Sequence, residues 1–223
     1  MKRNWDFSVY LVTDAALSLG RPVDEVVRAA VKGGVTVVQV REKSASARAA
    51  LREIEELRAF LHDRNVPLVV NDRLDWALAC GADGVHLGQD DLPCAEARRI
   101  AGPDLVIGVS VRTPEETRAA ERDGADYVAV SPVWSTPTKR DAPAPAGLEG
   151  IRAVRAATRL PVVAIGGVHA GNAGAVIRAG ASGVAVVSAI MSASDPAAAA
   201  RDLRRKVREA QSAHPLLAGD DPS

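Results

Sequence analysis

Apolar and polar positions alternate in blocks along this 223-residue chain. Short β-branched runs lie at 9–13, 35–40, 67–71, 84–87, 105–109, 127–131, 162–165 and 184–187. Helical stretches rich in Ala, Arg and Glu follow them at 23–32, 45–63, 73–80, 95–101, 114–123, 148–158, 172–179 and 195–211. The strand runs are almost continuously apolar, as strands of a parallel sheet covered on both faces are. Eight strand–helix units predict a single-domain α/β fold, a (β/α)8 TIM barrel at the compact end of its size range. A doubly wound open sheet has the same alternation, and the count of eight favours the barrel.

The barrel is expected to span 1–211, and 212–223, with two prolines, a glycine and two acids, to be a disordered tail. Four helix ends share one junction: Lys32-Gly33-Gly34-Val35, Cys80-Gly81-Ala82-Asp83, Asp123-Gly124-Ala125-Asp126 and Ala179-Gly180-Ala181-Ser182. Glycine accepts the left-handed conformation that ends a helix, so the repeat marks a recurring turn and carries no function by itself.

Composition narrows the partners. Lys plus Arg and Asp plus Glu are 28 each, so the net charge is zero, and neither a nucleic-acid footprint nor a polybasic membrane contact is expected. No apolar run of membrane-spanning length occurs, and the charged N-terminus precedes no signal-peptide core. Two distant cysteines, Cys80 and Cys94, fit reduced thiols in a cytoplasmic protein. Only 3% of residues are aromatic, so the core is expected to be Val, Leu, Ile and Ala. A homo-oligomer is compatible with all of this.

Active sites of such barrels sit where strands end. In Val37-Val38-Gln39-Val40-Arg41-Glu42-Lys43, strand alternation puts Gln39, Arg41 and Lys43 on one face. An amide and two cations at a strand end make a cradle for an oxygen-rich anion such as a pyrophosphate. Asp72 and Asp91 follow adjacent strands and can converge, and two carboxylates suit Mg²⁺ bound together with substrate phosphate. Either aspartate alone reads equally well as a helix cap or part of a solvated loop; the coincidence with Asn71 and the cationic strand end favours the metal. Gly166-Gly167 after strand 7 and Val187-Ser188 after strand 8 occupy the usual phosphate site of the fold. The stretch 132–147, long for a βα loop, carries Thr136, Thr138 and Lys139 and reads as a lid. Of four histidines, His86 is as readily structural as catalytic, and His169 reads as a helix start. No Ser–His–acid arrangement is present, so no covalent nucleophile is expected.

Taken together, Val38-Gln39-Val40-Arg41-Glu42-Lys43, Asn71-Asp72, Val85-His86-Leu87-Gly88-Gln89-Asp90-Asp91, Gly108-Val109-Ser110, Thr136-Pro137-Thr138-Lys139, Ala164-Ile165-Gly166-Gly167 and Val187-Ser188-Ala189-Ile190 resemble the thiamine phosphate synthase family. The resemblance implies two small phosphorylated substrates, 4-amino-2-methyl-5-hydroxymethylpyrimidine diphosphate and a hydroxyethylthiazole phosphate, plain or carboxylated. It implies thiamine phosphate and pyrophosphate as products, with CO₂ from the carboxylated thiazole. Gln39, Arg41, Lys43, Asn71, Ser110 and Lys139 would hold the pyrimidine diphosphate, with Arg41, Lys43, Ser110 and Lys139 as the catalytic groups. Asp72 and Asp91 would bind Mg²⁺. Thr136, Pro137, Thr138, Gly167, Val187 and Ser188 would hold the thiazole phosphate. The lid departs from the family pattern: Trp134 stands in place of phenylalanine and Ser135 in place of proline. A thiazole tautomerase, or a barrel that binds phosphates without catalysis, is the alternative; the two aspartates, Asn71, Ser110 and Lys139 argue against the first, and metal ligands beneath a lid against the second.

Overall fold

The computed structural model describes residues 5–136 and 144–213. Eight parallel strands close a barrel in chain order: β1 (Val9–Val12), β2 (Val37–Val40), β3 (Leu68–Asn71), β4 (Gly84–Leu87), β5 (Val106–Val111), β6 (Tyr127–Val130), β7 (Val162–Ile165) and β8 (Gly183–Val186). β8 pairs back onto β1, with Tyr10 opposite Ala185. Around the barrel run α1 (Val23–Gly33), α2 (Ala47–His62), α3 (Leu74–Ala79), α4 (Cys94–Ala101), α5 (Pro114–Arg122), α6 (Gly147–Ala157), α7 (Ala170–Arg178) and α9 (Pro196–Ser212), with a one-turn helix α8 (Ser188–Met191) directly after β8. None of the described helices is long and apolar enough to cross a membrane.

The expected barrel is the observed one, with boundary differences that have local causes. β5 runs on to Val111, which places Ser110 inside the strand. α7 starts at Ala170, two residues earlier than expected. Its N-cap is His169, whose Nδ1 accepts from Gly171 N at 3.1 Å while Asn172 Oδ1 accepts from His169 N at 2.8 Å. A histidine cap lacks the usual Ser, Thr, Asp or Asn signal. α8 is too short for any periodicity to announce it. Helix α9 runs on to Ser212 and Ala213 is a turn, so these two do not belong to the expected tail; its remaining residues, 214–223, lie outside the described ones.

Strand alternation builds two apolar layers. Val9, Leu11, Val38, Val40, Leu68 and Val70 point outward against Ile54, Leu57, Leu61, Ile151 and Ile177 of the helices. The aliphatic core expected from composition is this outer layer. The barrel lumen differs: Phe7, Tyr10 and Tyr127 fill it together with Val12, Val37, Val69, Ala129, Val163 and Ala185. Eight strands leave a lumen that side chains must plug; Phe7, Tyr10 and Tyr127 do so, while Phe60 and Trp76 belong to the outer layer. Gly108 pairs with Tyr127 across β5 and β6, and a methyl group at Gly108 would overlap the tyrosine ring.

The four glycine junctions all take left-handed φ: 109° at Gly34, 62° at Gly81, 92° at Gly124 and 108° at Gly180. Each also receives an arginine from the preceding barrel helix: Arg204 of α9 on Gly34, Arg58 of α2 on Gly81, Arg98 of α4 on Gly124 and Arg155 of α6 on Gly180. Arg58 Nε donates to Gly81 O at 2.6 Å and Arg98 Nε to Gly124 O at 3.1 Å. At Gly34, Gly124 and Gly180 glycine thus serves twice, allowing the turn and letting an arginine stem lie on it.

Candidate active site

A cavity of about 540 Å³ opens at the carboxyl ends of the strands. Of the residues expected in the site, Gln39, Arg41, Asn71, Ser110, Thr136, Gly167, Val187 and Ser188 line it. Lys43, Asp72 and Asp91 are not part of its lining and pair with one another at its edge, beside the lining residues Arg41, Asn71 and Asp90. Pro137, Thr138 and Lys139 lie outside the described residues.

At that edge Lys43 Nζ forms an ion pair with Asp72 Oδ2, and Asn71 Nδ2 donates to Asp72 Oδ1 at 2.8 Å. Asp72 has φ 60°, a left-handed conformation that aspartate tolerates better than most side chains. It caps no helix: the N-cap of α3 is Arg73, which makes no side-chain cap. Asp91 Oδ2 accepts from Gly88 N at 2.7 Å. Partial burial raises the Asp91 carboxyl pKa, and the hydrogen-bonded, negatively charged Asp72 raises it further; Gly88 N–H and Lys43 oppose this. Two crowded carboxylates, one of which resists losing its proton, form a site that a divalent cation would relieve. No cluster of three or more metal-ligating His, Cys, Asp or Glu forms among the described residues. Two carboxylates alone are a donor set that would fit Mg²⁺ if waters and phosphate oxygens completed its coordination.

Arg41 is held from β1. Its Nη1 pairs with Asp14 Oδ2 at 2.9 Å, and its backbone N donates to Thr13 Oγ1 at 3.1 Å. Asp14 also caps a single 3-10 turn through Ala16 N at 3.0 Å. Sequence reasoning passed over Thr13-Asp14, because the end of strand 1 carries no cation or carboxylate pair to mark it. Position after a strand was the available signal.

Beneath the cavity a buried hydrogen-bond chain crosses the lumen. Gln39 Nε2 donates to Tyr10 Oη at 2.7 Å, and Tyr10 Oη meets Tyr127 Oη at 2.9 Å. Tyr127 Oη meets His86 Nδ1 at 3.0 Å, and His86 Nε2 meets Ser110 Oγ at 3.0 Å. Burial lowers the His86 pKa to about 4 against a small opposing pull from Asp91, so the ring is neutral near pH 7. Both its nitrogens are engaged inside the protein. The two tyrosines were missed; their inward phase on β1 and β6 was the signal for them. Gln89 and Arg112 also line the cavity, Gln89 Nε2 donating to Ser110 O at 2.6 Å.

Across the mouth, Gly166 and Gly167 have φ of 100° and 66°. Trp134 N donates to Gly166 O at 3.0 Å and Asn172 Nδ2 to Gly167 O at 2.9 Å, so the turn is fixed from both sides. Side chains at either glycine would strike the 132–135 backbone and its neighbours. α8 follows with Ser188 as its first residue. A turn after strand 7 and a short extra helix after strand 8 make up the customary phosphate position of this fold.

Residues 9–190 match the family model for thiamine monophosphate synthase (TMP-TENI). The chain belongs to the thiamine monophosphate synthase family. Among similar members, the thiamine-phosphate synthase of Chloroflexus aurantiacus is 54% identical over 206 residues, covering 92% of this chain and 95% of the relative. That of Moorella thermoacetica is 49% identical over 207 residues, covering 93% and 98%. The solved thiamine phosphate pyrophosphorylase from Pyrococcus furiosus superposes with a TM-score of 0.85 at 40% identity, covering 92% of this chain and 97% of that one. A 3-hexulose-6-phosphate synthase superposes with a TM-score of 0.66 at 20% identity, which is a likeness of fold alone. The solved pyrophosphorylase thus shares this barrel over 92% of the chain, and the cavity mouth described above lies within residues 9–190.

Proposed function

We propose that this protein joins 4-amino-2-methyl-5-hydroxymethylpyrimidine diphosphate to a hydroxyethylthiazole phosphate, carboxylated or plain, giving thiamine phosphate and pyrophosphate. The observation that carries this reading is the Lys43–Asp72–Asp91 corner, where two carboxylates and a cation meet at the edge of a cavity already lined by Arg41, Asn71 and Ser110. That arrangement suits a metal-bound diphosphate better than a lone phosphate.

Asp72 and Asp91 would hold Mg²⁺, which when bound neutralises charge on the departing diphosphate. Arg41, Lys43 and Lys139 bind the remaining phosphate charge, and Asn71 orients Asp72. Gln39 and Ser110 hold the pyrimidine. The carbon–oxygen bond to the diphosphate breaks with its electron pair leaving on pyrophosphate, and the amino group of the pyrimidine stabilises the resulting cation. The lone pair of the thiazole nitrogen then closes the new carbon–nitrogen bond; a carboxylated thiazole afterwards loses CO₂. Thr136, Pro137, Thr138, Gly167, Val187 and Ser188 hold the thiazole phosphate so that its nitrogen faces that carbon. The protein contributes alignment and electrostatics, and no side-chain nucleophile takes part. Two free, buried thiols, Cys80 and Cys94, fit a cytoplasmic setting.

The deciding assay incubates purified protein with both substrates and Mg²⁺ and follows pyrophosphate. Release that requires both substrates is expected; none at all overturns the reading.

A further inference from the structure

A hydroxyl group has one proton to give, and the buried chain under the cavity contains three hydroxyls in series. Gln39 spends an amide proton on Tyr10 Oη. Tyr10 must then give its own proton, and its other partner is Tyr127 Oη. Tyr127 in turn gives its proton to His86 Nδ1. With Nδ1 accepting, the ring proton sits on Nε2, which donates to Ser110 Oγ. The proton of Ser110 is left over, and Ser110 lines the cavity. Gln39 keeps its Oε1, an acceptor, and the second hydrogen of Nε2 to offer the cavity it lines. While Gln39 Nε2 faces Tyr10, reversing any link strands a hydroxyl proton in the dry lumen.

We propose that Tyr10, Tyr127 and His86 form a one-way hydrogen-bond relay that fixes the orientation of the Gln39 amide and leaves the Ser110 hydroxyl proton to be donated toward the cavity. They are positioning residues: none needs to touch the reacting atoms, and each acts through the two side chains at the ends of the chain. The fold makes room for this relay. Gly108 faces Tyr127 with no side chain, and the tyrosine ring occupies the space that one would take. Tyr10 and Tyr127 are 1% and 0% exposed, so no water competes for their hydroxyls.

The ligand edge that matches this floor presents an acceptor to the Ser110 hydroxyl and a donor to Gln39 Oε1. An aminopyrimidine does so through its amino hydrogens and a ring nitrogen. The 4-oxo analogue, with a carbonyl in place of the amino group and a proton on the neighbouring nitrogen, turns a donor toward the Ser110 proton and binds more weakly. The identity of the ring rests on the proposed function; the direction of the relay does not.

The test begins with ¹⁵N-histidine NMR on the full, ligand-free chain, the His86 signals being assigned by their loss in His86→Asn. A proton on Nε2 with Nδ1 bare is expected; a proton on Nδ1 overturns the proposal. In Tyr127→Phe the single tautomer is expected to give way to a mixture, with the KM for the pyrimidine diphosphate up at least tenfold and that for the thiazole phosphate within twofold. Equal rises in both KM values mean that the tyrosine only supports the fold, and sink the positioning role. If Tyr127→Phe does not fold, Tyr10→Phe carries the same comparison. The 4-oxo diphosphate is expected to compete at least tenfold more weakly than the amino form, and equal competition also overturns the assignment. Should neither substrate react while the Nε2–H tautomer is found, the proposed function falls and the relay stands.

Discussion

His86 takes its ordinary imidazole pKa only when the chain unfolds. In the fold it is 8% exposed, and burial brings its pKa down to about 4. Between the folded and unfolded values the unfolded chain binds more protons, so stability is full above about pH 6.5 and is lost as pH falls toward 4. The loss is on the order of 3 kcal/mol from this residue. Urea unfolding of the wild type and His86→Asn at pH 7 and pH 4.5 measures it: the wild type should lose more stability than the variant, and parallel losses would remove His86 as the cause. The comparison between the two proteins cancels Asp91, whose raised pKa works in the opposite sense. At this scale the sequence displayed charge well and connection poorly. Arg41, Lys43, Asp72 and Asp91 were legible because ions at strand ends are rarely there for packing. Asp14, which grips Arg41 from 27 residues away, was not, because its role exists only through the pairing of β1 with β2.

Elements were legible where one physical cause dominated. Continuous apolar runs gave the strands, and glycine gave four helix ends. The arginines resting on those glycines were not legible: Arg58 reaches Gly81 and Arg98 reaches Gly124 across a whole βα unit, and both look like ordinary surface-helix residues in sequence. Arg98 also donates to Gly102 O at 2.6 Å and Leu105 O at 2.8 Å and pairs with Asp126 at 2.5 Å, with the two side chains 19% and 11% exposed. Arg98→Ala should therefore cost about 2–4 kcal/mol. Arg205→Ala, which removes only exposed pairs to Asp202 and Glu209 within one helix, should leave the unfolding midpoint near that of the wild type. Matched denaturant curves would show it, and equal midpoints for the two variants would mean that the junction arginines do not hold the helices.

At the scale of the whole molecule, the proposed function makes the carboxylate corner and the cations beside it one ligand site, so metal and diphosphate should stabilise the fold together. Near 100-fold excess over Kd, Mg²⁺ with pyrophosphate would add about 2.7 kcal/mol, roughly 5–10 °C in Tm for a chain of this size. Calorimetry should find a smaller shift with either alone, and Asp91→Asn should lose the joint effect; a full shift in that variant would take Asp91 out of the metal site. The barrel itself was legible as a count of alternating units, whereas its aromatic filling was not, since composition says how many tyrosines exist and only strand phase says which way they point. That filling governs traffic. Phe7, Tyr10 and Tyr127 close the lumen from below, so the barrel is a cup and offers no passage through its axis. Molecules that share the cavity therefore enter and leave by the same mouth.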